Sequence, residues 1–178
     1  ALDGIDEPFE GRAPVELAEA LPEGATLVVG NSMPVRDLDS FLPVAARDLR
    51  IVGNRGASGI DGEVSSAAGG AAARGGPVAL LVGDLSVFHD LNGLWPLRRH
   101  ELDLTVLLVN NDGGGIFHFL PQAEAVSESF EEWFGTPHGL DFRAAVEMHG
   151  GSFRSLDGSR GWVPALAEAV ATPGLSVL

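Results

Sequence analysis

The chain of 178 residues has no cysteine, and none of its apolar runs approaches the roughly 20 residues that a membrane-spanning helix needs. The absence of cysteine excludes a disulfide framework, a catalytic thiolate and cysteine-ligated zinc. No opening segment combines a basic flank with an apolar run. We therefore expect a cytoplasmic protein without membrane insertion.

Positive charge is also scarce, because 11 basic residues, all of them arginine, stand against 25 acidic residues and give a net charge of −14. Nucleic acids and anionic membranes bind positive surfaces, so this balance argues against both partners. An acidic protein that binds anionic ligands must build local positive sites from metal ions, helix N-termini and placed arginines. Arginines beside glycine-rich turns are therefore the candidates.

Short apolar runs alternate with helical patterns along the chain. This alternation predicts an α/β fold, a doubly wound parallel sheet of about six strands with helices on both faces. Pro96 is expected to end or kink the fourth helix. The predicted strands are 26–29, 50–52, 77–82, 104–109, 152–156 and 175–178, and the predicted helices are 14–21, 34–42, 62–74, 85–95, 141–149 and 162–171.

The length and the hydrophobic content of 45% suit one well-buried domain. We assign residues 14–178 to this domain and residues 1–13 to a linker remnant. The last predicted strand runs to the final residue, which indicates a piece of a longer protein. Residues 113–140, the covering segment, are punctuated by glycine and proline and rich in aromatic side chains. They are too apolar for a solvated linker, so we expect them to cover part of the domain.

Glycine-bearing turns follow four successive predicted strands. In a parallel sheet these turns lie at one edge, where the strands end. Glycine lets the backbone approach a ligand closely, and helices that begin after such turns offer N–H groups to phosphate. The four turns are Gly30-Asn31-Ser32, Gly53-Asn54-Arg55-Gly56, Gly83-Asp84 and Asn110 to Gly115.

Two of these turns carry oxygen ligands. Taken singly, Asp84 is more simply a helix cap and Asn110-Asn111 an ordinary turn. Taken together, the Asp84 carboxylate, the Asn111 amide oxygen and the Gly113 carbonyl form a set of hard oxygen ligands. Magnesium prefers such ligands and shares its shell with phosphate oxygens, and manganese accepts them too. The pattern predicts a metal-bridged diphosphate site.

The spacing from Gly83-Asp84 to Asn110-Asn111 resembles the cofactor-binding motif of the thiamine-diphosphate-dependent enzymes. The similarity spans about residues 14–178 and corresponds to the C-terminal, diphosphate-binding domain of that family. It implies the thiamine-diphosphate-binding fold and a longer enzyme whose pyrimidine-binding and middle domains are absent here. Within this family the chain most resembles the menaquinone-biosynthesis branch. The residues that carry this resemblance are Gly30 to Asp37, Asn54 to Gly62, Leu85, Asp90-Leu91-Asn92 and Asn111 to Phe117.

The resemblance implies a role for individual residues. Asp84, Asn111 and the Gly113 carbonyl would hold the metal ion. Ile60 matches the bulky apolar residue that wedges under the cofactor and forces its two rings together. The other cofactor contacts that the resemblance implies are Ser32, Met33, Gly83, Leu85, Ser86 and Ile116.

The substrates that the resemblance implies are two dicarboxylates, 2-oxoglutarate and isochorismate. The transferase reaction decarboxylates the first on thiamine diphosphate and adds the succinyl unit to the second. Arginine binds carboxylates bidentately, so we take Arg36 and Arg55, each on a glycine-flanked turn, as substrate clamps. Ile116, Phe117 and Leu120 are expected to form an apolar wall that excludes water.

Other interpretations remain open. The chain could belong to another thiamine-diphosphate-dependent lyase or synthase, to a non-catalytic nucleotide-binding domain, or to a purely structural assembly domain; two arginines suited to dicarboxylates argue against the first. The family takes its activating glutamate from the pyrimidine-binding domain, so we expect this chain alone to be inactive. We also expect a homodimer or homotetramer with active sites between subunits. None of the histidines has triad or zinc spacing, and we interpret His89, His100, His118, His138 and His149 as structural.

Overall fold

Six parallel strands form one sheet in the computed structural model, which describes residue 7 and residues 9–43, 47–73, 75–156, 158 and 160–178. Every pair of neighbouring strands is parallel, as the sequence pattern predicts. The strands are β1 (Thr26–Val29), β2 (Arg50–Gly53), β3 (Val78–Gly83), β4 (Leu104–Val109), β5 (Ser152–Phe153) and β6 (Leu175–Val177).

The strand order is β2-β1-β3-β4-β6-β5. From β1 the chain first moves outward to β2 and then returns to place β3 on the other side of β1. The direction of winding therefore reverses between β1 and β3, where Val29 pairs with Leu81. Open α/β sheets bind ligands in the crevice at such a reversal, outside the carboxyl ends of the strands. The turns after β1 and β3 lie side by side there.

Eight helices of the described residues accompany the sheet, and none of these is long and apolar enough to cross a membrane. The helix with the most residues, α3, has 11. The helices are α1 (Arg12–Ala20), α2 (Met33–Phe41), α3 (Glu63–Ala73), α4 (Asp84–His89), α5 (Leu94–His100), α6 (Gln122–Ala125), α7 (Arg143–Met148) and α8 (Val163–Ala171).

Helices cover both faces of the sheet, and each face has its own apolar cluster. On one face α3, α4, α5 and α7 pack against Leu80 and Val82. On the other face α1, α2 and α8 pack against Leu27 and Leu81. Burial on both faces explains why the central strands are continuous apolar runs rather than alternating patterns.

The helix predicted at 85–95 is two helices, α4 and α5, separated by a 3₁₀ turn at Leu91–Gly93. Gly93 is buried, and a Cβ at this position would lie 2.8 Å from the Ser65 nitrogen in α3, so the backbone passes close to its neighbour here. The expectation that Pro96 ends or kinks the helix is wrong. Pro96 lies in the first turn of α5, where a backbone N–H has no partner within the helix.

The outermost strand, β2, pairs with β1 along one side. All four of its residues are exposed. Among them are two large apolar residues, Ile51 at 46% and Val52 at 43% exposure. The described residues therefore leave this edge of the sheet uncovered.

The segment before α1 packs against the domain. The helix begins at Arg12, two residues before the predicted domain boundary, and the Phe9 ring packs edge to face on Phe41 at 4.9 Å. Residues 1–6 and 8 of the predicted linker remnant, and residue 74 at the end of the predicted third helix, lie outside the described residues.

The covering segment folds back on itself. It contains a 3₁₀ turn at Gly115–Phe119, α6 and one π turn at Glu131–Gly135. The Gly114 N–H donates a 2.7 Å hydrogen bond to the Gly135 carbonyl, which brings the two ends of the segment together. Phe130 is buried within it and stacks on Phe134.

Candidate functional site

A cavity of about 260 Å³ lies at the carboxyl ends of β1, β3 and β4. A larger groove of about 620 Å³ lies beside it towards β5 and β6, but none of the site residues predicted from the sequence lines that groove. Most of them line the smaller cavity, namely Ser32, Met33, Ile60, Gly83, Asp84, Leu85, Ser86, Asn111, Gly113, Ile116 and Phe117. Topology thus gathers residues from four separate turns, those after β1, β2, β3 and β4.

Asp84 joins the turn after β3 to the turn after β4. The residue is 2% exposed and begins α4. Its Oδ1 accepts the Leu85 N–H at 2.7 Å, and its Oδ2 accepts the Gly113 N–H at 2.9 Å. The carboxylate therefore reaches the backbone of the residue whose carbonyl was predicted as a metal ligand.

The turn after β4 depends on glycine. Asp112 and Gly113 both have positive φ, 63° and 143°, and a Cβ on Gly113 would lie 2.1 Å from the Gly135 carbonyl oxygen. Only glycine adopts this conformation so close to the backbone of Gly135. The side chain of Asn111, which precedes Asp112 in this turn, donates through Nδ2 to Glu10 at 3.0 Å.

The donor set at the cavity suits a magnesium or manganese ion in its chemistry. It combines one carboxylate, one amide oxygen and one backbone carbonyl, all hard oxygen ligands, on residues that line the same cavity. Within the described residues, no group of three or more His, Asp or Glu side chains is placed to hold a metal ion. Two of the three candidate ligands are neutral, so phosphate oxygens would supply the remaining negative charge.

The turn after β1 is strained and firmly held. Ser32 has φ 65° and ψ −130°, an unfavourable conformation for a residue with a Cβ. Asn31, 1% exposed, donates its backbone N–H to Glu63 at 2.6 Å and its side-chain amide to the Gly59 carbonyl at 2.6 Å. Burial raises the pKa of Glu63. These bonds hold Ser32 at the cavity and tie its turn to the one that carries Ile60.

Arg36 and Arg55 do not line the cavity, but both contact the turn after β1. Arg36 donates through Nη1 to the Ser32 carbonyl at 2.6 Å, and Arg55 donates through Nη1 to the Asn31 Oδ1 at 2.6 Å. Both arginines are exposed. Each of these bonds uses one of the five N–H donors of a guanidinium group. The structure thus brings the two predicted clamps to one turn at the rim of the site.

The predicted apolar wall is brought together in part. Ile60, Ile116 and Phe117 line the cavity and are half-buried. Leu120 does not line the cavity and is 38% exposed. It follows the 3₁₀ turn at Gly115–Phe119, where the chain turns away from the strand ends.

Comparison with known proteins decides the family. Residues 40–178 match the family described as "Thiamine pyrophosphate enzyme, C-terminal TPP binding domain". The chain belongs to this family. The resemblance inferred from the Gly83-Asp84 and Asn110-Asn111 motif is confirmed.

Several curated relatives of this TPP-binding domain are named 2-succinyl-5-enolpyruvyl-6-hydroxy-3-cyclohexene-1-carboxylate synthase. The protein from Geobacillus thermodenitrificans is 53% identical over 173 residues, which are 97% of this chain and 29% of that protein. The protein from Chloroflexus aurantiacus is 59% identical over 133 residues, 75% of this chain and 22% of that protein. The chain therefore spans less than a third of the length of these relatives.

Solved structures confirm the fold of the TPP-binding domain. The thiamine diphosphate-dependent 4-hydroxybenzoylformate decarboxylase of Rhodococcus jostii RHA1 superposes with a TM-score of 0.74 at 16% identity, over 99% of this chain and 34% of that chain. A putative thiamin diphosphate-dependent enzyme from Mycobacterium smegmatis gives 0.71 at 21% identity, over 96% and 31%.

Two residues of the TPP-binding domain reach the site without a signal in the sequence. His138 was interpreted as structural, but its Nε2 lies 3.1 Å from the Asp84 Oδ2. Glu10 was assigned to the linker remnant, but it lines the cavity and bonds to Asn111. Neither residue stands in a recognisable motif, and only the glycine and proline around His138 indicate a turn.

The cavity also has an unusual acid close to it. Asp37 in α2 is buried, and this burial, followed by the negative charge of Glu10, raises the pKa of Asp37 to about 6. The charge of Glu10, in the segment before α1, therefore acts on Asp37 in α2.

Proposed function

We propose that these residues form the cofactor-binding domain of a longer, thiamine-diphosphate-dependent synthase. It decarboxylates 2-oxoglutarate and adds the succinyl unit to isochorismate in the menaquinone pathway. One observation carries the proposal, the 53% identity over 97% of the chain to a protein named for that product. The residues that line the cavity support it, because they supply a metal donor set beside apolar side chains. Arg36 and Arg55 contact the turn after β1 at the rim.

The metal ion, Mg²⁺ or Mn²⁺, would be held by Asp84, Asn111 and the Gly113 carbonyl. The hydrogen bond from the Gly113 N–H to Asp84 supports this set, since it keeps the two ligands adjacent. The diphosphate group would lie against Ser32, Gly83 and the start of α4 at Leu85-Ser86, all of which line the cavity. Met33 completes the cofactor contacts.

Thiamine diphosphate, when bound, supplies the carbon nucleophile that decarboxylation and carbon–carbon bond formation require. The residues of this chain orient it and exclude water. Ile60 would press against it from the turn before α3, and Ile116 with Phe117 would cover the reacting atoms with apolar surface. Orientation and a dry site are the domain's contributions to the reaction.

The carboxylates of the two substrates would bind to Arg36 and Arg55. Each guanidinium is anchored to the turn after β1 by one N–H and is otherwise exposed at the rim. An arginine held at one nitrogen still offers a planar pair of donors, which matches the geometry of a carboxylate. Two such groups suit a pair of dicarboxylate substrates.

The longer protein would supply what this domain lacks. We place it in the cytoplasm as a homodimer or homotetramer in which a glutamate from the pyrimidine-binding domain activates the cofactor. The 178-residue chain alone is then inactive. Release of carbon dioxide from 2-oxoglutarate by the isolated chain with magnesium and thiamine diphosphate would contradict this part of the proposal.

The test uses the full-length protein with Asp84→Ala and Asn111→Ala. We expect both variants to lose Mn²⁺ binding in the presence of thiamine diphosphate, followed by electron paramagnetic resonance, and to lose carbon dioxide release from 2-oxoglutarate. Asp103→Ala is the control, because this exposed carboxylate accepts the Gly174 N–H away from the cavity. Unchanged Mn²⁺ binding in the Asp84 variant would exclude the proposed metal site.

Substrate and ligand panels separate the alternatives. A preference for another 2-oxoacid over 2-oxoglutarate would assign the chain to a different thiamine-diphosphate-dependent lyase or synthase. Calorimetry that shows tighter binding of adenine nucleotides than of thiamine diphosphate would favour a nucleotide-binding domain. A structural assembly domain would bind neither.

A further inference from the structure

We propose that His138 is a positioning residue that orients the Asp84 carboxylate towards the metal ion and fastens the covering segment to the metal site. The inference rests on the proposed function, because it takes Asp84 as a metal ligand. His138 lies near the end of the covering segment, 54 residues after Asp84.

The hydrogen bonds of the His138 ring define which nitrogen carries the proton. Nδ1 accepts the Leu140 N–H at 3.0 Å, and a nitrogen that accepts a hydrogen bond is unprotonated. The neutral ring therefore has its proton on Nε2, which lies 3.1 Å from the Asp84 Oδ2. Asp112 Oδ1 lies farther from Nδ1, at 3.4 Å, so we take the shorter contact with the Leu140 N–H as the hydrogen bond of this nitrogen. The imidazole donates to Asp84.

This donation completes the set of partners around the Asp84 carboxylate. Oδ2 accepts from both His138 and Gly113, while Oδ1 accepts from Leu85. The side chains of His138 and Asp84 are 11% and 3% exposed, so water competes little for these bonds. Three donors hold the carboxylate in place and leave one of its roughly four lone-pair sites, on Oδ1, for a metal ion. Mutation of a residue that hydrogen-bonds to a metal ligand typically lowers metal affinity about 10- to 100-fold.

The backbone around His138 is bound to the turn after β4 by a separate contact. Asp112 Oδ1 accepts the His138 N–H at 3.1 Å and the Gly139 N–H at 2.6 Å. These two bonds lower the pKa of Asp112, and the bond from Gly139 has the larger effect. The His138 ring also packs edge to face on the buried Phe142 at 5.9 Å. The end of the covering segment is thus joined to the loop that carries Asn111 and Gly113, and ordering at one place favours ordering at the other.

The experiment measures Mn²⁺ affinity of the full-length protein with thiamine diphosphate by electron paramagnetic resonance. We expect His138→Ala to raise the Mn²⁺ Kd about 10- to 100-fold. His138→Gln should recover part of the affinity, because the glutamine amide nitrogen can take the place of Nε2 as a donor. His149→Ala is the matched control, since this buried ring bonds to the Ala145 carbonyl in α7, and its Mn²⁺ Kd should equal that of the wild type.

Protease cleavage within residues 113–140 provides the second readout. We expect Mn²⁺ with thiamine diphosphate to slow cleavage in the wild type and to protect His138→Ala less. A Mn²⁺ Kd for His138→Ala within about twofold of the wild type would overturn the inference, since it falls well below the range expected for such a partner. Equal losses in the His138→Gln and His149→Ala variants would overturn it too, as general damage to the fold. If the wild type binds no Mn²⁺, the proposed function itself is wrong, and that outcome differs from a selective failure of the His138 variants.

Discussion

The side-chain amide of Asn111 donates a 3.0 Å hydrogen bond to the carboxylate of Glu10, which lies 101 residues earlier in the chain. A carboxylate only accepts hydrogen bonds, so this contact requires the amide nitrogen to face Glu10 and turns the amide oxygen away from it. The residues before α1 thereby orient a candidate metal ligand that lines the same cavity.

Glu10→Ala is expected to weaken metal binding by about tenfold, because the Asn111 amide loses the partner that fixes its orientation. Mn²⁺ titration of the full-length protein with thiamine diphosphate measures this change. Glu7→Ala removes an exposed carboxylate from the same segment and should leave the Mn²⁺ Kd unaltered. Equal affinities in the Glu7 and Glu10 variants would show that Asn111 needs no such partner.

Asp37 is expected to make stability depend on pH. Its pKa is raised from an ordinary value of 3.8 to about 6 in the folded protein by burial and then by the negative charge of Glu10. The folded state therefore binds the proton more tightly, and the contribution of Asp37 to stability is present at low pH and lost as the pH rises through about 6. Asp37→Asn should stabilise the protein relative to wild type at about pH 7.5 more than at about pH 4.

Urea unfolding of both proteins across this range provides the measurement. Asp39→Asn, an exposed position in the same helix, is the control. A stability difference between Asp37→Asn and the wild type that does not change with pH would contradict the prediction.

Arg55→Ala should weaken dicarboxylate binding without affecting metal binding. A hydrogen bond to a charged group contributes about 1.5–3 kcal/mol, so we expect KM to rise roughly 10- to 150-fold for one of the two substrates. Arg55→Lys should recover little, because an ammonium group lacks the planar fork. Steady-state kinetics measure KM, and Arg99→Ala, an exposed arginine in α5, is the control. A KM that stays at the wild-type value for both substrates would remove Arg55 from the site.

Gly114→Ala should destabilise the covering segment. A Cβ at this position would lie 2.2 Å from the Phe134 carbonyl oxygen and 2.8 Å from the Phe117 ring, so the backbone must move. Overpacking of this kind typically costs about 1–3 kcal/mol. Urea unfolding measures the loss, with Gly76→Ala as the control because a Cβ there meets open space. Similar unfolding midpoints in the two variants would show that the segment adapts without cost.

Much of the sheet was predictable because its central strands are buried on both faces. Residues 78–83 and 104–109 are continuous apolar runs, and a glycine or asparagine turn closes each one. The break between α4 and α5 was not predictable. It arises where Gly93 approaches Ser65 of another helix, a tertiary contact that leaves no local pattern.

The candidate site divides in the same way. Asp84 and Asn111 could be paired from the sequence because each lies within two residues of the end of a strand, and β3 and β4 are neighbours in the sheet. Glu10 and His138 could not, because each meets its partner only through folding of a segment that has no periodicity of its own. Leu120 was misplaced for a related reason, since the direction of the chain after Phe119 depends on packing within the covering segment.

The exposed edge at β2 has a practical consequence for work on this domain. Edge strands with unpaired backbone groups and apolar side chains join strands of other molecules, and Ile51 and Val52 are such side chains. A purified sample of the 178 residues alone should therefore lose its monomer peak in light scattering as concentration increases. Dilute solutions, or co-expression with the rest of the polypeptide, are the conditions in which its spectra and titrations will report on single molecules.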